Sequence, residues 1–227
     1  IKEGLLDRNP CEEIKNFKKA KKIPGFLSEE EVLKILNSAS KVGKNKLEKT
    51  RNKALIEILY ASGMRVSELV SLRKSLFIGT PEIILIKGKG NKERMVPISK
   101  LAISAIKKYL AELKKTNIAF YESDFLFPSR SKNGYLNRER FFLIIKKIAK
   151  FAGLNPRYVS PHKIRHAFAS HLLSNGADLR VIQTLLGHKN LSTTEIYTHI
   201  LDEKMIKSVQ ENHPFAKKDF KNLKTYN

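Results

Sequence analysis

The chain has 227 residues and carries 44 Lys and Arg against 22 Asp and Glu, a formal net charge of +22. That length suffices for one large domain with an appendage, and the charge calls for a polyanionic partner, nucleic acid first, because such a field otherwise only repels itself. No apolar run is long enough to span a bilayer, and Cys11, the only cysteine, excludes an internal disulfide and a cysteine-built metal centre. With no secretory signal the expected compartment is the cytoplasm. A first residue of Ile1 rather than Met leads us to expect that the native N-terminus is absent from this chain.

Residues 1–24 are polar, lysine-rich and broken by Asn9-Pro10 and Pro24, which reads as the end of one helix and an extended linker. Ser28 with Glu31 three residues on is a capping box and opens a helix through Val32, Ile35 and Leu36. Apolar residues at Ala54, Leu55, Ile58, Leu59 and Ala61 predict a helix over 52–62 with a buried face. Gly63 ends it, and Met64 to Leu69 begins a short helix, so Arg65 falls at a junction where Glu68 can hold it by a charge-assisted hydrogen bond.

Two β-branched runs, Glu82 to Ile86 and Met95 to Ile98, flank a basic glycine-rich hairpin with Lys87, Lys89, Lys92 and Arg94. Lys89 sits near its tip, and Lys87, Lys92 and Arg94 are read as DNA-binding. Ser99 caps an amphipathic helix through Ile103, Ile106, Leu110 and Leu113. Phe125 to Ser129 is a short strand or extended segment, and 137–151 is helical on Phe141, Ile144, Ile145 and Ile148. From Pro161 a run of helices follows: one to Ser174, one from Asp178 to Leu186 stopped by Gly187, one capped by Ser192, and a last one over 202–211. The sum is mainly α with a small antiparallel β-sheet, an α+β class.

The chemistry-bearing residues concentrate late in the chain. On a helix opening at Pro161, His162 and Arg165 stand at i and i+3 and so share a face that can grip an anion. Cleavage of a phosphodiester needs cations on the non-bridging oxygens, a nucleophile, and an acid for the departing oxygen. Arg65 and Arg165 suit the first role, because a guanidinium is always charged and offers paired donors. Lys89 suits the acid. Tyr197 suits the nucleophile, provided that neighbouring cations and a histidine base help its phenol to ionise.

Each of these residues has a plainer reading. Arg65 with Glu68 is also an ordinary ion pair, Lys89 an ordinary backbone contact, and Tyr197 an ordinary core or interface aromatic. His166, His171 and His199 are read as structural or DNA-facing. His162 and His166 have one-turn spacing, but no HExxH pattern and no neighbouring carboxylate or cysteine completes a metal site, so none is expected. Gly88-Lys89-Gly90 lacks the spacing of a nucleotide-binding loop, and no cofactor is expected.

Five stretches, taken together, resemble the tyrosine site-specific recombinases of the Xer type. They are Ala61 to Leu69, Gly88 to Arg94, Ser160 to Ala169, Leu185 to His188 and Leu191 to His199. The wording at 160–162 and 175–180, with His213-Pro214, is closer to the D than to the C branch of that type.

The resemblance implies that Arg65 and Arg165 clamp the phosphate, Lys89 is the general acid on the hairpin, and His162 is a general acid/base facing the nucleophile. It also implies that His188 hydrogen-bonds the phosphate, Tyr197 attacks, and Glu68 supports Arg65. A 3′-phosphotyrosyl bond would then be formed and resolved by a free 5′-hydroxyl, with no metal or cofactor.

As for organisation, the resemblance implies a catalytic domain at 25–215 and a basic tail at 216–227, with 1–24 the end of an otherwise missing N-terminal core-binding domain plus linker. It implies as partners a double-stranded DNA recombination site, self or a second Xer-type recombinase in a tetramer exchanging C-terminal helices, and an FtsK-type translocase in chromosome dimer resolution. No membrane is involved. Two rivals remain at this stage. A non-catalytic helix-turn-helix regulator would use 178–187 and 192–200 and make Tyr197 a groove contact, and a type IB topoisomerase-like enzyme shares the chemistry without partner exchange.

Overall fold

Capping side chains decide where most of the helices begin. The computed structural model describes residues 26–88, 93–187, 208–209 and 211–214. Helix α1 (Glu29–Ala39) starts on the expected box: the Ser28 hydroxyl accepts the Glu31 N–H at 3.2 Å, and the Glu31 carboxylate accepts the Ser28 N–H at 2.8 Å. Helix α2 (Lys46–Ser62) is capped by Asn45, whose side chain accepts the Glu48 N–H. It therefore begins six residues before the apolar pattern does. From Ala54 to Ser62 every residue of α2 is buried, so this half is enclosed on all sides, and it packs against α1, α4 (Lys100–Thr116) and α7 (Pro161–Ser174). Ser99 caps α4 as expected, and α7 opens at Pro161 as expected, with the Ser160 side chain as its cap.

A short helix, α3 (Val66–Val70), follows α2, and a two-stranded antiparallel sheet comes next, β1 (Ile83–Lys87) with β2 (Glu93–Pro97). Pairing sets Ile84 opposite Val96 and Ile86 opposite Arg94. Because side chains alternate across a strand, this set shares one face, and Ile84, Ile86 and Val96 are all buried.

Helix α5 (Ile118–Glu122), not anticipated, is capped by the Asn117 side chain, and α6 (Arg138–Phe151) follows on Asn137. Residues 125–129 form no strand of the sheet: Phe125 and Pro128 make isolated bridges to Arg73 and Tyr135, with bends at Leu126 and Phe127 between them. Helix α8 (Leu179–Leu186) is capped by Asp178 and closed by Gly187 in the left-handed conformation, φ 65°. The helix expected from Ser192, and most of that expected over 202–211, lie outside the described residues. Ser208, Val209, Glu211 and Asn212 are helical, and Val209 and His213 are buried, with the His213 ring edge-on to Tyr60.

Candidate active site

The C-terminal turn of α8 is where the site comes together, because three successive carbonyls there each accept from a different guanidinium. Arg94 Nε donates to the Leu185 carbonyl at 3.1 Å, Arg165 Nη2 to Leu186 at 2.7 Å, and Arg65 Nη2 to Gly187 at 3.4 Å. The carbonyls of the last helical residues and their cap lie at the negative end of the helix dipole, which favours cations. His188 is the next residue in the chain.

Each guanidinium arrives there for a local reason. Arg65 occupies the N-cap position of α3, in extended conformation directly after the Gly63 turn that ends α2. At Gly63 (φ 57°) a Cβ would lie 2.3 Å from Cδ1 of Phe168, so the turn admits no side chain. Arg165 lies one turn into α7, and its Nη1 donates to the Gly63 carbonyl. One guanidinium thus braces the turn that presents the other. Among the described residues, Arg165 spends two of its five donors on these carbonyls.

Glu68, with its side chain 6% exposed, anchors the cluster. Its Oε1 accepts from Arg65 Nη1 at 3.1 Å and from Arg94 Nη1 at 2.7 Å, and its Oε2 accepts the Arg65 backbone N–H and Arg94 Nη2, both at 2.7 Å. Burial by itself would push this carboxyl up, but the Arg94 and Arg65 donors more than offset that and hold it below the usual carboxylate range. Arg165 is lowered to about 10, first by burial and then by the like charges of Arg65 and Arg94, so it stays charged at neutral pH.

The described residues therefore bring together Arg65, Glu68, Arg94 and Arg165. His162 is solvent-exposed on the first turn of α7, one turn before Arg165. Lys87 is exposed on the outer face of the hairpin and pairs with Glu93 at 3.7 Å. Lys89, Lys92, His188 and Tyr197 lie outside the described residues. Arg94, read from sequence as DNA-binding, is instead turned inward with its side chain 10% exposed. The signal that would have placed it is strand parity, since it stands two positions before the buried Val96 and is paired with Ile86. His171, left open between structural and DNA-facing, is buried on α7 with Nδ1 2.9 Å from the Tyr60 hydroxyl.

Paired guanidiniums with spare donors, in a chain of +22, make an anion-binding site suited to phosphate. Residues 25–204 match the phage integrase family, and the chain belongs to it. It is 47% identical over 219 residues to the tyrosine recombinase XerD of Rhizobium meliloti strain 1021, covering 95% of this chain and 70% of that protein. Among solved structures it resembles the XerH site-specific recombinase bound to difH substrate in a pre-cleavage complex, with TM-score 0.63 and 31% identity over 80% of this chain and 49% of that one. It also resembles the integrase from mycobacterium phage Brujita, with TM-score 0.68 and 26% identity over 98% and 69%. The match takes in all the elements from α1 onward rather than the stretch from 178 alone, so the chain is a site-specific tyrosine recombinase and not a helix-turn-helix regulator. Among the described residues, no helix is long and apolar enough to cross a membrane.

Proposed function

We propose that Arg65 and Arg165 hold the two non-bridging oxygens of a scissile DNA phosphate while the Tyr197 phenolate attacks phosphorus. The bond formed is Tyr197 O–P. The bond broken is P–O5′, and Lys89 delivers a proton to the departing 5′ oxygen. His162 serves as general acid/base facing Tyr197, His188 hydrogen-bonds the phosphate, and Glu68 supports Arg65. A 5′-hydroxyl from a second strand then attacks the phosphotyrosine, expelling Tyr197 and conserving the ester, so the cycle is isoenergetic and draws on no cofactor.

The observation that carries this reading is the convergence of Arg65 and Arg165 on adjacent carbonyls immediately before His188. Two fixed cations at one point meet the charge that grows on the oxygens in the transition state. Lys87 and Lys92 supply hairpin contacts to the DNA backbone. The catalytic unit spans 25–215, preceded by the end of a core-binding domain and a linker and followed by a basic tail. It works in the cytoplasm as a tetramer, with itself or a second Xer-type recombinase, under an FtsK-type translocase in chromosome dimer resolution.

Strand exchange separates this function from that of a topoisomerase. Two duplexes of different length, each carrying a site recovered by selection from random-sequence DNA with this protein, are incubated with it, and joint products are sought on a denaturing gel. Recombinant strands are expected. Relaxation of supercoiled plasmid without any recombinant strand would overturn the exchange function.

A further inference from the structure

The fork between Arg94 and Glu68 is a two-bond, largely buried ion pair whose arginine the proposed reaction leaves without a task. Both Glu68 oxygens receive an Arg94 nitrogen at 2.7 Å, the planar two-bond geometry that only arginine provides. The same guanidinium reaches Leu185 through Nε at 3.1 Å. Arg94 therefore spends donors from all three nitrogens within the protein, and its side chain is 10% exposed.

Two consequences follow for Arg65. The first is geometric. Glu68 accepts from both the Arg65 backbone N–H and Nη1, so the plane of this carboxylate sets where the Arg65 side chain points. The Arg94 fork fixes that plane, and the Leu185 bond fixes it relative to the end of α8, where Arg65 and Arg165 both land. The second is electrostatic. A buried carboxylate paired with Arg65 alone would cancel the charge that Arg65 must present to phosphate. With Arg94 as its principal partner, Glu68 is neutralised from the protein side and the Arg65 charge is left for the substrate.

We infer that Arg94 is a positioning residue of the phosphate clamp, acting through Glu68 to orient Arg65 and preserve its charge, rather than a contact to DNA. This rests on the proposed role of Arg65. Its place on the hairpin also means that the strand leading out of the Lys89 segment is pinned to the clamp by the same side chain.

The test compares Arg94→Ala, Arg94→Lys, Glu68→Gln and the Arg94→Ala, Glu68→Gln double variant. Three quantities are measured: DNA affinity across a salt series, single-turnover cleavage of the selected nicked duplex at saturating protein, and the pH profile of that cleavage. Arg94→Ala should slow cleavage by about 10-fold or more at unchanged affinity and salt slope, with Arg94→Lys recovering only part, because an ammonium cannot form the fork. The acid limb of its pH profile should move upward, as a carboxylate deprived of its fork takes up a proton more readily, and Glu68→Gln should remove that shift. In the Glu68→Gln background, Arg94→Ala should cost less than about 3-fold further, since its route to Arg65 through the Glu68 fork is already altered.

The inference is overturned if Arg94→Ala weakens binding and lowers the salt slope by about one while the saturated rate is kept, the behaviour of a phosphate contact. Losses that multiply in the double variant overturn it as well. Should Arg94→Ala fail to fold, Arg94→Lys and the double variant, which leaves no buried carboxylate unpaired, carry the same comparison. Failure of the underlying clamp would show separately, as an Arg65→Ala protein that cleaves at the full rate.

Discussion

Arg165 donates its Nη1 to the carbonyl of Gly63, 102 residues earlier in the chain, so α7 is tied to the turn that presents Arg65. The two guanidiniums are thus linked through that one turn, in addition to their contacts at the end of α8. That turn is left-handed and faces Phe168, whose ring blocks any Cβ.

Gly63→Ala should therefore be doubly penalised. The left-handed conformation costs about 1 kcal/mol and the displaced Phe168 ring a further ~1–3 kcal/mol. Chemical denaturation should show a destabilisation of about 2–4 kcal/mol at an unchanged denaturant slope. A stability within ~0.5 kcal/mol of the parent would mean that the turn has other freedom.

Arg165→Lys keeps the charge and loses the geometry. A single ammonium cannot bond both the Gly63 and Leu186 carbonyls and still offer paired donors to a phosphate. Cleavage at saturating DNA should fall about 100-fold or more while affinity changes by less than about 3-fold, if Arg165 acts as proposed on charge that develops in the transition state. Parallel gel-shift and single-turnover assays would read both, and equal losses in the two would place Arg165 in ground-state binding.

Acid should unfold the protein in two stages. His213 is lowered to about 4, first by burial, against an ordinary histidine value of about 6.5, and His171 is shifted the same way for the same reason. The unfolded chain protonates first, so the stability these rings contribute is full above about pH 6.5 and is lost as pH falls towards about 4. Glu68 has a folded value below the usual range, so its contribution is present above about pH 4.3 and disappears only as pH drops further. Urea unfolding from pH 8 to pH 3 should show this order, and His213→Gln should flatten the upper stage. An upper stage unchanged by that substitution would assign it elsewhere.

Capping chemistry made much of the fold legible in advance. Ser28 and Ser99 mark helix starts and Gly63 and Gly187 mark stops, and the helices placed from 137, 161 and 178 prove to be capped by Asn137, Ser160 and Asp178. The first turn and a half of α2 was not, because residues 46–51 are mostly polar and show no apolar period. Its signal was the cap itself, Asn45 followed by Glu48, whose carboxylate also accepts the Lys44 N–H. Helix α5 is too short for periodicity to register.

At the site, the Arg65 and Glu68 pair was readable because its partners are three residues apart. The convergence of Arg65, Arg94 and Arg165 on α8 was not, since it joins residues 21 to 122 positions apart. Charge alone suggested DNA for Arg94, whereas strand parity assigned it to the face of Val96 and Ile86.

The most direct measurement is peptide mapping of the covalent adduct formed on a nicked suicide duplex carrying the selected site, with Tyr197→Phe in parallel. A 3′-phosphate linked to Tyr197 is expected, with no adduct from Tyr197→Phe and DNA affinity within about 2-fold of the parent. An adduct on another residue, or one that persists in Tyr197→Phe, would contradict the assignment of the nucleophile and with it the roles proposed for the residues around it.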